Sequence, residues 1–232
     1  MNKKIRIGIT DCSKYANYEN WILAEPDVEV VKLGYGLNNS GDAEKCDGII
    51  LSGGEDVHPR YYNKPEYEAY CHEIDEKRDD FEFQVLDQVE KHQLPLLGIC
   101  RGLQVANVYY KGTLVPDIPS FGKFNHSRYS DKDRYHHVDV DTTSELFKIT
   151  GLAKGEINSA HHQSAELIGK GLVTNSLSSD GIVEGIERQK NDGKPFFQLV
   201  QWHPERMTDL SNPFSKKIKE AFLNAIRKNS SR

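Results

Sequence analysis

The segment Gly98-Ile99-Cys100-Arg101-Gly102 sets a thiol between glycines, where an apolar run gives way to the helical pattern of "RGLQVANVYY". A nucleophile carried on a strand-to-helix turn needs small flanking residues, because the backbone bends too sharply to leave room for neighbouring Cβ atoms. The free N–H groups and dipole at a helix start favour negative charge, which suits a thiolate nucleophile. Arg101 is placed to add to that effect. Read alone, the motif has a plainer alternative, a buried core cysteine, since free cysteine is among the most buried residue types. That plainer reading, or simple surface exposure, is adopted for Cys12, Cys46 and Cys71.

A cysteine nucleophile needs a base, and the chain has nine histidines. In "QLVQWHPE", His203 ends a strand-like run, Pro204 forces it into extended geometry, and Glu205 follows two residues on. Residues two apart in an extended chain share a side, so Glu205 can reach the imidazole, fix its tautomer and support its charged form. A polar strand end would look the same. The third element is "ILSGGEDVHP", in which Gly53 and Gly54 follow an apolar run. Their backbone can approach a ligand closely, and the Gly54 N–H together with that of Arg101 would make an oxyanion hole. A tight turn is the plainer reading, and the Lys-Ser/Thr pair of a phosphate loop is absent.

These three elements require a scaffold that brings strand ends together. "KIRIGIT", "VEVVKLG", "CDGIILSGG" and "LPLLGI" read as strands, and "DEKRDDFEFQVLDQVEKH" reads as an amphipathic crossover helix carrying Phe81, Val85 and Val89. Such alternation predicts an α/β fold with parallel pairing. Gly112, Pro116 and Pro119 open a polar stretch to Tyr135, expected to be the most mobile insertion. Shorter strands follow at "HHVDV", "EINS", "GLVTNSL", "IVEGIER" and "FFQLVQWH", predicting a partly antiparallel second half. The final helix, with Ile218, Phe222 and Ile226 four apart, should cover a sheet face. No repeat or linker divides residues 1–232, so one domain is expected.

The 232 residues, 37% hydrophobic, are enough to bury a substantial core, and a net charge of −5 without a basic face argues against nucleic acid as a partner. "MNKKIRIGIT" is too short an apolar stretch for a signal segment or membrane span, and the four cysteines lack zinc-type pairing, so a cytoplasmic protein with free thiols is expected. His136-His137 and His161-His162 invite a metal reading. Neighbours on an extended segment point opposite ways, however, and no cysteine or carboxylate spacing completes a site, so no metal is expected. The run from Glu73 to Asp80 reads as a solvated helix start, in which Arg78 and Asp79 could also brace a loop near the site.

In order along the chain, "LSGG", "GICRGLQ" and "QWHPE" resemble the class I glutamine amidotransferase family from about Cys46 to Met207. With "DEKRDDFE", "GTLVPDIP", "NSAHHQS" and "DGIVEGIE", the chain is similar to the branch of free-standing γ-glutamyl hydrolases, the peptidase C26 group. The resemblance implies a flavodoxin-like three-layer sandwich with a central mostly parallel sheet and an additional antiparallel portion. It also implies a Cys100-His203-Glu205 triad, oxyanion donors at Gly54 and Arg101, and glutamyl contacts from Gln104, His161, Gln163 and Ser164. Tyr109, Tyr110 and Lys111 depart from it, standing where smaller residues and a glycine are expected before "GTL". The implied reaction is hydrolysis of a small γ-glutamyl amide through a glutamyl thioester, with neither metal nor organic cofactor. A synthetase's glutaminase subunit and a catalytically lapsed binding protein are the alternatives, and the sequence leaves the leaving amine and any homo-oligomer open.

Overall fold

In the computed structural model, residues 4–190 and 193–230 are described. Apolar runs build five parallel strands, four in the first half, β1 (Ile5–Thr10), β2 (Val28–Leu33), β3 (Gly48–Leu51) and β4 (Leu96–Ile99), and one late in the chain, β11 (Phe197–Val200). They lie in the order β2-β1-β3-β4-β11. The sheet continues antiparallel beyond β11 through β10 (Val183–Arg188), β9 (Leu172–Ser178), β6 (Arg134–Val140) and β7 (Lys154–Ser159). Two short strands, β5 (Leu114–Val115) and β8 (Ser164–Ala165), pair separately. The parallel half has the strand order of flavodoxin-like sheets, in which ligands collect outside the carboxyl ends of the strands.

Helices cover both faces because the central strands are apolar on both sides. On one face, α1 (Tyr15–Leu23) and α5 (Pro213–Ser230) set Tyr18, Trp21, Ile22, Ile218, Phe222 and Ile226 against Ile7, Ile9, Ile50 and Ile99. On the other, α2 (Glu76–His92) and α3 (Arg101–Tyr109) bury Phe81, Val85, Val89, Leu103 and Val105 over Ile49, Leu51, Leu96 and Leu199. Gly102 permits α3 to sit this close: a Cβ there would lie 2.3 Å from the Leu51 carbonyl oxygen. A short helix, α4 (Glu145–Thr150), starts at Ser144, whose hydroxyl accepts the Phe147 N–H.

The stretch from Gly112 to Tyr135 is better anchored than its polar composition predicts. Leu114 and Ile118 are fully buried, and β5 pins its start to β8. Lys111, in the position expected to be glycine, takes φ 72°, a left-handed conformation that glycine adopts at lower cost. The two tyrosines before it find polar partners instead of an enlarged core: Tyr109 donates to Asp87 at 2.8 Å, and Tyr110 bonds to Glu90.

Candidate active site

The three motifs meet because each follows the carboxyl end of a parallel strand, and those strands are neighbours: β3 leads into Gly53-Gly54, β4 into Cys100, and β11 towards His203. Cys100 has φ 54° and ψ −107°, a conformation costly for a residue with a Cβ. Its N–H donates to Val200 O at 2.8 Å, and its own carbonyl accepts from Leu103 and Gln104, so strand and helix both hold the turn. The thiol is buried at the edge of the core, at the carboxyl end of the sheet, where it also lines a cleft.

His203 and Glu205 sit beside it, each about 95% buried. The ring Nδ1 lies 2.8 Å from Glu205 Oε1, and because the carboxylate accepts, Nδ1 carries the proton and Nε2 is directed elsewhere. Burial alone would push the His203 pKa down, but the Glu205 carboxylate and the Cys100 thiol outweigh it and lift the value to about 9. The ring is therefore mostly cationic at neutral pH. Asn158 steadies the backbone, with its Oδ1 accepting the His203 N–H at 3.1 Å.

The glycine loop is braced from both sides. Tyr18 Oη accepts the Gly53 N–H at 2.9 Å and stands 3.5 Å from His203 Nδ1. A Cβ on Gly53 would come within 3.0 Å of the His203 ring. Arg78 donates to Gly53 O at 2.9 Å and to Ser52 Oγ at 3.0 Å, and its guanidinium occupies the space a Cβ on Gly54 would need. Gly54 itself has φ 151°. The run from Glu73 to Asp80 is both a helix start, capped by Asp75 with Glu73, Glu76, Lys77 and Asp80 exposed, and a brace, since Arg78 and Asp79 are buried.

One electrostatic expectation is corrected. The Arg101 guanidinium turns away from the thiol, donating to Asp79 Oδ1 at 2.8 Å and to the Glu55 carbonyl at 3.1 Å, with Glu82 Oε2 at 3.0 Å. Two carboxylates neutralise it. What remains at Cys100 is the Arg101 N–H, which lies at the start of α3 and so lacks an intrahelical acceptor.

Cys100, His203, Gly53 and Gly54 line a cleft of about 150 Å³ together with Cys12, Ser13, Tyr18 and Ala160; Lys14, Arg128 and Arg206 stand at it as cations. Those three cations also line an adjoining cavity of about 530 Å³. The residues expected to contact a glutamyl group stand behind the lining of this cleft, next to Ala160 and α3. Gln104 Nε2 donates to Gln163 O at 3.2 Å and lies 3.4 Å from Gln201 Oε1, tying α3 to the 158–164 segment, while Ser164 is buried in β8. His161 is buried with His126, His136 and Glu184. Backbone alternation splits each histidine pair, leaving His137 exposed and His162 between Asp56 and Asp117. The carboxylate missing from the local sequence pattern comes from a distant strand, as Glu184. The bracing roles of Tyr18 and Asn158 were also missed; Tyr18, Trp21 and Ile22 recur at helical spacing, which was the available signal for the first.

Residues 40–205 match the family model described as Peptidase C26. A candidate glutamine amidotransferase of Schizosaccharomyces pombe is 37% identical over 191 residues, 82% of this chain and 73% of that protein. The gamma-glutamyl-gamma-aminobutyrate hydrolase of Escherichia coli O157:H7 is 27% identical, over 79% of this chain and 73% of its own length. In architecture, the glutaminase domain of Trypanosoma brucei CTPS, solved with bound acivicin, matches with a TM-score of 0.67 at 16% identity, over 97% of this chain and 94% of that one.

Proposed function

We propose that this chain, which belongs to the peptidase C26 family of glutamine amidotransferase-like hydrolases, cleaves a γ-glutamyl amide with Cys100 as its nucleophile. The observation that carries the reading is the strained Cys100 turn facing a buried His203–Glu205 pair. The thiolate adds to the side-chain carbonyl of the glutamyl group, and the N–H groups of Gly54 and Arg101 receive the oxyanion. As the carbon–nitrogen bond breaks, the His203 imidazolium gives its proton to the departing amine, leaving a glutamyl thioester and a neutral ring. That ring takes a proton from water, the hydroxide adds to the thioester, and the thiolate leaves, releasing glutamate and restoring the imidazolium–thiolate pair. Glu205 holds the ring throughout. No step calls on a metal or an organic cofactor.

Gln104, Gln163 and Ser164 serve this reading by holding the 158–164 wall of the cleft, while Lys14, Lys132, Arg128 and Arg206, the two arginines sharing Asp133, leave the cavity net positive and favour an amine that carries a carboxylate. A third cavity, lined by Asp11, Glu55 and Asp75, offers the opposite sign. The test is to incubate the purified chain alone with γ-glutamyl-γ-aminobutyrate, a γ-glutamyl diamine and glutamine, and to compare kcat/KM for glutamate release, with Cys100→Ala as blank. The carboxylate-bearing amide should be the best substrate. Glutamine should be poorer because ammonia cannot use contacts beyond the scissile bond. If the chain ignores all γ-glutamyl amines and hydrolyses glutamine only beside a partner protein, it is a glutaminase subunit instead.

A further inference from the structure

Apart from the catalytic residues, four side chains from two strands and two loops converge: His126, His136 on β6, His161 and Glu184 on β10, with one ligand atom from each lying within 4.8 Å of the others. His126, His161 and Glu184 are at least 95% buried. Their tautomers follow from the hydrogen bonds made by the far side of each ring. His126 Nε2 lies 3.2 Å from Asp180 Oδ1, His136 Nδ1 is 3.0 Å from the His137 carbonyl, and His161 Nδ1 is 2.9 Å from the Gln163 carbonyl. Carbonyls and carboxylates only accept, so each of those nitrogens carries the ring proton.

In the neutral rings, the remaining nitrogens are therefore bare lone pairs, and all three point at one carboxylate. His126 Nδ1, His136 Nε2 and His161 Nε2 stand 3.3, 3.4 and 3.7 Å from Glu184 Oε1. With the rings singly protonated, none of these nitrogens and neither Glu184 oxygen has a hydrogen-bond partner among the described residues; only a second proton on a ring, at His126 Nδ1 or His161 Nε2, would pair it with Glu184. Lone pairs facing an anion without an intervening positive charge repel, and burial makes that costly.

We propose that His126, His136, His161 and Glu184 form a binding site for a divalent transition metal, with Zn²⁺ as the ion that suits it. Three imidazoles and one carboxylate make a four-coordinate set drawn wholly from the protein, the composition of a closed structural site. In a tetrahedron with metal–ligand distances near 2.1 Å, donor atoms stand about 3.3–3.4 Å apart. The three separations from Glu184 Oε1 fit that spacing with contractions of a few tenths of an ångström. Each histidine also has the outer partner that metal-bound histidines use to fix the ring, a carboxylate for His126 and carbonyls for His136 and His161. The bound ion would pin the wall of the cleft: Ser159 Oγ donates to His126 O at 2.8 Å, and Gln201 N donates to Glu184 O at 2.8 Å, close in sequence to Asn158 and His203. This inference does not depend on the reaction proposed for Cys100.

The test uses the full chain carrying Cys100→Ala, so that the catalytic thiol cannot hold zinc. After equilibration with buffered Zn²⁺ and dialysis, elemental analysis should find one zinc per chain, and added Zn²⁺ should raise the melting temperature. On the same background, His136→Ala, which removes the least buried ligand, and Glu184→Gln should weaken binding more than about a hundredfold. Asp180→Asn, which touches only the outer partner of His126, should cost about ten- to a hundredfold. Circular dichroism of each variant without metal checks that it folds, and His136→Ala keeps the test decisive if Glu184→Gln does not. Zinc content and melting temperature equal in the Cys100→Ala chain and its His136→Ala derivative would overturn the proposal, as would a Cys100→Ala chain that retains no zinc. In the latter case protons on the histidines satisfy Glu184.

Discussion

Glu205→Gln isolates the carboxylate that holds His203 while keeping the side chain's size. In the wild type, the ring's pKa rises from its ordinary 6.5 to about 9, against the effect of its own burial, through the carboxylate at 2.8 Å and the Cys100 thiol. That rise corresponds to about 3 kcal/mol favouring the charged ring, at about 1.4 kcal/mol per pH unit. An amide in place of the carboxylate removes the larger of the two favourable interactions, so the ring should titrate near or below about 6.5. At pH 8 the imidazolium fraction then falls from about 90% to about 3%, roughly a thirtyfold loss of the form that protonates the amine. Loss of the tautomer-fixing bond adds to this, for a total of about a hundred- to ten-thousand-fold in kcat. The assay is the pH profile of kcat/KM. The wild type should lose activity as pH rises through about 9, and the variant's alkaline limb should move down by two units or more. The sign carries over to stability: a raised histidine pKa stabilises the fold fully below about 6.5, and this contribution is lost as pH rises through about 9. An alkaline limb still near 9 in Glu205→Gln, with kcat within tenfold of wild type, would remove Glu205 from the mechanism.

His203→Ala should cost more turnover than Glu205→Gln, since it deletes the group that moves protons; steady-state kcat ranks the two. Brief iodoacetamide treatment at neutral pH should label Cys100 first, because burial raises the Cys12 pKa and pushes Cys46 to about 11 and Cys71 to about 12; peptide mapping that finds another thiol labelled first contradicts the elbow assignment. Gly54→Ala sets a Cβ on the buried Arg78 guanidinium, which pairs with Glu55 and Glu82, and should lower both the melting temperature and kcat, the latter about a hundred- to a thousand-fold. Arg101→Ala leaves Asp79 and Glu82 buried without that partner, and should destabilise the fold by about 3–5 kcal/mol in urea titration.

What could be read from the sequence was whatever depended on neighbours along the chain. The apolar runs of β1 to β4 and the periodicity of α2 and α5 mark their elements plainly, and His203 and Glu205, two apart after a strand, meet as extended geometry requires. Arg101 was misjudged because adjacency to Cys100 says nothing about where a long side chain turns, and Asp79 and Glu82, on α2, capture it. The histidine cluster was illegible for a related reason. His136 and His137 split across β6, His161 and His162 split in the loop before β8, and Glu184 joins through the β10–β9–β6 pairing, a contact between residues far apart in sequence.

The most direct measurement of the central claim is mass spectrometry of the chain quenched in acid during turnover of a γ-glutamyl amide. A covalent route through Cys100 requires that a fraction of the wild-type chain gain the mass of one glutamyl group, located on the peptide containing Cys100 and removed by hydroxylamine. That fraction should grow when the acyl-enzyme is formed from a faster substrate, and the adduct should be absent from Cys100→Ala. Release of glutamate at an undiminished rate by Cys100→Ala, or an adduct mapped to any other residue, would contradict the account.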